Sequence, residues 1–245
     1  MRFQTHSNSR RQVGRHLSAA FVLAAWFPCM IWGRGAFQKP GGPPDVQAEA
    51  SYRQGEKLYD AAERGDIKTA RRLLDSGVRI NVDFSEGETP LFYACRSGKI
   101  DMVRYLLKRG AAANWTSVAW FNTPLDEAAR ADNVAIIHVL LAHGAKVDGP
   151  PGSIPPLYMA ADQPSLHALR ALIAAHANPN ACFPFGIEDN ALIRAVIRKS
   201  LPCVTALIRA HADPKLADEK GETPISLAKQ MKLKEILRVL EHGVG

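Results

Sequence analysis

Cysteine is scarce in this chain, four in 245 residues, and no two stand at the short spacing a zinc site uses. Glycine-rich phosphate loops and nucleophile elbows are missing. No Ser, His and Asp residues are set out as nucleophile, base and orienter. These absences lead to the expectation of a protein that is not an enzyme and needs no cofactor. One-signed charge is lacking as well. The formal net charge is +7, yet residues 1–51 hold six basic residues against two acidic, which leaves 25 against 22 in the remainder. A body so close to balance gives little support to a nucleic-acid partner. Aromatic residues make up only 7% of the chain, and long hydrophobic runs are absent with one exception.

That exception is "LSAAFVLAAWFPCMIWG", Leu17 to Gly33, which contains no charged residue. It follows a basic leader, residues 1–16, with Arg10, Arg11 and Arg15. A positive leader before an apolar stretch makes a secretory signal. The same stretch just reaches the length of a short membrane anchor, since spanning takes about 17–25 residues. Both readings stand, cleaved signal and retained anchor. Either one puts the rest of the chain outside the cytoplasm, periplasmic or tethered to the membrane. Residues 34–53, with "QKPGGPPDVQAEAS" from Gln38 to Ser51, are rich in Pro and Gly and read as a semi-extended linker.

Beyond the linker the sequence repeats itself, and the repeat decides the fold. An apolar residue that opens a helix recurs at Leu58, Leu91, Leu125, Leu157, Leu192 and Ile225, at intervals of 33, 34, 32, 35 and 33 residues. A second marker keeps phase: Gly77-Val78, Gly110-Ala111, Gly144-Ala145, His176-Ala177 and His211-Ala212. Between the two markers lie an Ala pair, such as Ala128-Ala129, and a Leu pair, such as Leu140-Leu141. Each unit therefore offers two short amphipathic helices that cannot bury their apolar faces alone, and stacking builds one continuous core. Gly77, Gly110 and Gly144 fall just past the second helix, where a left-handed stop is easiest for glycine. His176 and His211 take the same place at some cost in strain.

The stretch "GETPLFYACRSGKIDMVRYLLKRGAAAN", Gly87 to Asn114, resembles the ankyrin repeat. The resemblance covers about Gln54 to Gly243 as six units, about 54–83, 84–117, 118–149, 150–184, 185–217 and 218–245. It implies an all-α fold, a solenoid of stacked helix-turn-helix units with projecting loops over residues 54–245. It departs from the usual pattern at Phe92, Asp126 and Tyr158, which replace the His after Thr-Pro-Leu, and at Asn190-Ala191, which replaces Thr-Pro. The first unit lacks a Thr-Pro start, and the last is rich in Lys, so both read as caps.

In such arrays the loops before each helix pair project as fingers and line a concave face with the first helices. The fingers differ here. The third, "NWTSVAWFN", carries Trp115, Trp120 and Phe121, and the fifth, "CFPFGIEDN", carries Phe183, Phe185 and Ile187. With the proline-stiffened fourth, "DGPPGSIPP", they are expected to form an apolar strip. Rigid aromatics are what interface hot spots favour, although finger-against-finger packing would also use them, Trp115 above all. Arg64, Arg96, Arg130, Arg194 and Arg198 near the ends of first helices read as a solvated basic ridge or as guides for an acidic partner.

Other chemistry weighs little. His143, His176 and His211 lie in successive repeats, and stacked helices about 8–10 Å apart put their rings too far apart to share one zinc ion. Cys95 reads as core, and a disulfide between Cys182 and Cys203 is chemically allowed in an exported protein. The sequence thus points to a non-catalytic protein-protein interaction module whose partner is another protein, one option being a partner with an acidic patch. A stoichiometric inhibitor of an exported toxin would need the same surface.

Overall fold

The computed structural model describes residues 46–82, 87–182 and 189–243. The basic leader, the apolar run 17–33 and the first part of the expected linker lie outside the described residues. Twelve α-helices in six pairs make up the described chain. The first helices of the pairs are α1 (Val46–Arg64), α3 (Pro90–Arg96), α5 (Pro124–Arg130), α7 (Pro156–Asp162), α9 (Ala191–Ile197) and α11 (Pro224–Gln230). The second helices are α2 (Ile67–Asp75), α4 (Ile100–Lys108), α6 (Val134–Ala142), α8 (Leu166–Ala174), α10 (Leu201–Arg209) and α12 (Lys234–His242). First helices stack on first helices in chain order, and from α4 onward second helices stack on second helices. The all-helical solenoid expected from the repeat is the fold observed.

Thr-Pro works as a helix start for a physical reason. Thr123 takes an extended conformation and accepts from the Asp126 N–H, while Asp126 accepts from the Thr123 N–H, so two orphan donors are satisfied together. Pro124 follows at the first helical position, where no N–H is missed. The fifth unit reaches the same result without Thr: the Asn190 side chain accepts from the Ile193 N–H at 3.0 Å. Leu91, Leu125, Leu157 and Leu192 are each only 1% exposed. Ala94, Ala128, Ala160 and Ala195 sit at 0%, which lets neighbouring helices approach closely.

The first unit differs from its sequence reading. Val46–Arg64 forms one helix of 19 residues, so the expected linker 34–53 stops short, and Leu58 lies well inside a helix instead of opening one. Neither Pro nor Gly occurs between Val46 and Gln54, and the run is rich in the strong helix formers Ala, Glu, Gln and Arg.

The marker after each second helix behaves as its composition implies. Gly77, Gly110 and Gly144 have φ of 96°, 92° and 83°, and His176 and His211 hold the same left-handed turn at 64° each. Just beyond it, amide and carboxylate side chains staple each unit to the next. Asn81 accepts from the Ala112 N–H at 2.9 Å, Asn114 from the Lys146 N–H at 2.8 Å, Asp148 from the Asn178 N–H at 2.8 Å and Asn180 from the Asp213 N–H at 2.7 Å.

Candidate functional site

The third finger is a tight, hydrogen-bonded loop. Its base closes through the Ser117 N–H donating to the Asn122 carbonyl at 3.0 Å, and its turn through the Phe121 N–H donating to the Ser117 carbonyl at 3.1 Å. The Ser117 hydroxyl adds a bond to Asn122 Oδ1 at 2.5 Å. Phe121 has φ of 53°, at the place where the second and sixth fingers carry Gly87 and Gly221, each at 75°. All three stand two residues before the Thr that caps the next helix. A bulky residue in this conformation stores about 1 kcal/mol or more of strain, which the surroundings must hold.

They hold it from both sides. The Trp115 indole N–H donates to the Gly87 carbonyl at 2.9 Å, tying the third finger to the second. The Ile154 N–H donates to the Phe121 carbonyl at 2.9 Å, tying it to the fourth. A Cβ built on Gly87 would stand 2.9 Å from the Val118 backbone nitrogen, so the second and third fingers touch as closely as glycine permits. What this frame holds out to solvent is apolar: Val118 is 72% exposed, Trp120 61% and Phe121 40%. Trp115 is half-buried and serves as a strut. Phe183, Phe185 and Ile187 lie outside the described residues. In the fourth finger Ile154 is only 8% exposed, and Pro151 is exposed.

The expected arginine ridge has a different role. Arg96 donates through Nε to Glu127 Oε2 at 3.1 Å and also binds the Glu88 carboxylate, while its guanidinium stands 5.4 Å from the centre of the Tyr93 ring. Arg130 donates to the same Glu127 oxygen at 2.5 Å. Arg198 bonds both oxygens of Asp162, at 3.0 and 3.1 Å. Arg194 pairs with Asp189 at 2.6 Å and faces the Tyr158 ring at 5.1 Å. Arg64 meets Asp60 at 3.6 Å on an exposed face. These arginines are matched by carboxylates of their own chain, so little unpaired charge is left there to guide an acidic partner. Burial opposes the charge on Arg96, and the Glu127 and Glu88 carboxylates outweigh it and push its pKa upward.

The carboxylates were the part the sequence reading missed. Glu88 and Glu127 are 5% and 3% exposed, and a charge so buried must be paired. For Glu88 the signal is a register: Glu88, Asp189 and Glu222 each stand directly before the residue that caps a first helix, whereas Glu127 lies inside α5. Beside them Asp126 is fully buried. Burial raises its pKa to about 8 against the hydrogen bonds from Thr123, and Glu127 adds to the rise.

Cysteines and histidines fall in separate places. Cys203 is 0% exposed inside the core, whereas Cys182 is exposed at the base of the fifth finger. His143 closes α6, with its Nδ1 at 2.9 Å from the Val139 carbonyl, one residue ahead of the turn that His176 and His211 occupy. Among the described residues no helix is long and apolar enough to cross a membrane.

Comparison with known proteins agrees with the geometry. The family model described as "Ankyrin repeats (3 copies)" matches residues 58–149 and 157–244. Ankyrin repeat and SOCS box protein 11 of Homo sapiens is 33% identical over 102 residues, which is 42% of this chain and 31% of that protein. The chain spans about a third or less of the curated relatives it matches. Among solved structures, the human ASB11 ankyrin repeat domain superposes with a TM-score of 0.66 at 25% identity, over 77% of this chain and 83% of that one. An ankyrin repeat domain from Acinetobacter baumannii AYE gives 0.64 at 28% identity, over 75% and 95%. The chain belongs to the ankyrin repeat family, and its stacked body is a protein-protein interaction module.

Proposed function

We propose that this module works without catalysis, as a scaffold or partner-binding protein that takes hold of another protein through its third finger. The observation that carries this reading is Phe121. An aromatic residue stands in left-handed backbone, 40% exposed, where two other fingers place glycine. A bulky residue held in left-handed backbone with 40% of its surface in water is not what stability alone would select, and strain of this kind gathers where proteins bind. Trp120 and Val118 extend the same patch, and its frame is tied down on both flanks, which lowers the entropy lost on binding. Phe183, Phe185 and Ile187 are proposed to add to the contact from the fifth finger.

A photo-crosslinking amino acid at position 120, compared with the same group at Lys220 in the sixth finger, tests the assignment in cells. A partner captured from position 120 and not from 220, and lost on Trp120→Ala in pull-down, is the expected result. Equal capture from both positions would sink it. The export or tethering of the module by residues 1–33 is a separate proposal. It rests on the charge-free run behind a basic leader, and fractionation with N-terminal sequencing of the mature protein tests it.

A further inference from the structure

The second helices of the six pairs, here the outer layer with the first helices as the inner one, carry a feature that the finger site does not use. All six have nine residues, and the fifth residue is Arg71, Arg104, His138, Arg170, Thr205 and Arg238 in turn. Five of the six are Arg or His, and those five are exposed. None of the four arginines enters an ion pair among the described residues, in contrast to Arg96, Arg130, Arg194 and Arg198. Asp101 and Glu235 stand one turn earlier on α4 and α12 and pair with none of them. The two layers therefore differ in charge. The acids beside the inner helices are consumed by inner arginines, while the six outer helices hold nine Lys and Arg against four Asp and Glu.

Between these rungs the surface is grooved. The groove between α8 and α10 encloses about 460 Å³, with Ile173, Leu201, Pro202 and Ala206 along it and Arg170 and Arg209 at its sides. The groove between α4 and α6 is lined by Arg104, Lys108, His138 and His143 around Val139. We propose that this outer face is a second docking surface, for an acidic, extended polypeptide segment of a partner protein laid across the rungs. Stacked helices are about 8–10 Å apart, and a chain extended as polyproline II advances about 3.1 Å per residue with three residues per turn, so carboxylates at every third residue share one face and meet successive basic rungs. Apolar side chains between the carboxylates face the grooves. A bilayer is the poorer fit, because interfacial binding needs large apolar residues beside the cations. Among the described residues the exposed large apolar ones, Tyr52, Val118, Trp120, Phe121 and Ile197, all lie off the outer helices.

The test uses the full chain and a labelled peptide of about 18 residues with Glu at every third position, followed by fluorescence anisotropy. Binding is expected, weakening with salt and by about tenfold or more in Arg104→Glu/Arg170→Glu/Arg238→Glu. The matching triple Gln variant, which keeps the fold neutral at those rungs, loses affinity to a lesser degree and decides the matter if the Glu variant loses helicity. Trp120→Ala leaves peptide affinity unchanged, which separates this surface from the finger site. Unchanged affinity in the triple variants, or binding to vesicles of anionic lipid with none to the peptide, would overturn the proposal.

Discussion

The Phe121 carbonyl accepts a hydrogen bond from the Ile154 N–H at 2.9 Å, so the fourth finger holds the third by its backbone. The bond fixes a residue whose φ of 53° suits glycine better. Phe121→Gly and Phe121→Ala delete nearly the same side chain and differ in backbone freedom. The Gly variant is expected to be more stable than the Ala variant by about 1 kcal/mol in urea titration. Both should bind the finger's partner more weakly than the wild type.

His176 offers the same comparison away from any proposed site. It occupies the left-handed turn that glycine takes in three other units. His176→Gly is expected to raise stability by about 0.5–1 kcal/mol, read as a shift of the denaturation midpoint at constant slope. An unchanged or lower midpoint would show that the imidazole contributes more than the backbone costs.

Removing Arg96 leaves Glu88 and Glu127 buried without their shared cation. Arg96→Met is expected to destabilise by about 2 kcal/mol, less than a fully buried pair would cost because the arginine is partly exposed. Glu127 keeps Arg130, so adding Glu88→Gln to that variant should recover part of the loss, and a double-mutant cycle measures how much.

Asp126 sets a pH dependence of unusual sign. Its folded pKa of about 8 lies above the ordinary carboxylate value, so the folded state keeps a proton that the unfolded chain releases near pH 4. Stability is fully present below about pH 4 and is lost as pH rises toward about 8. Asp126→Asn is expected to flatten that decline between pH 5 and 8. A wild-type curve already flat in that window would show the carboxyl to be ionised in the fold.

The fold was legible because its signals are local and periodic. Gly110 and Thr123-Pro124 announce a turn and a helix start from a few neighbouring residues, and the spacing near 33 repeats the announcement. The chemistry between units was harder to read. Arg96 meets Glu127, 31 residues away, and Arg198 meets Asp162, 36 away, so an arginine at a helix end gave no sign of the acid that would cancel it. Trp115 and Trp120 show the same limit within one loop. They have similar sequence surroundings, yet one is pinned to the Gly87 carbonyl and the other stands out in solvent.

The side-chain staples from Asn81, Asn114, Asp148 and Asn180 each reach only the next unit. Cohesion is therefore passed hand to hand along the array, and no bond spans it from end to end. Cutting one link, as in Asn114→Ala, is expected to cost about 1–2 kcal/mol at the junction between the second and third units, since the continuous core beneath it stays in place. Such a chain yields from its ends inward, so amide exchange should be slowest in the buried helices of the middle units, from which the third finger projects.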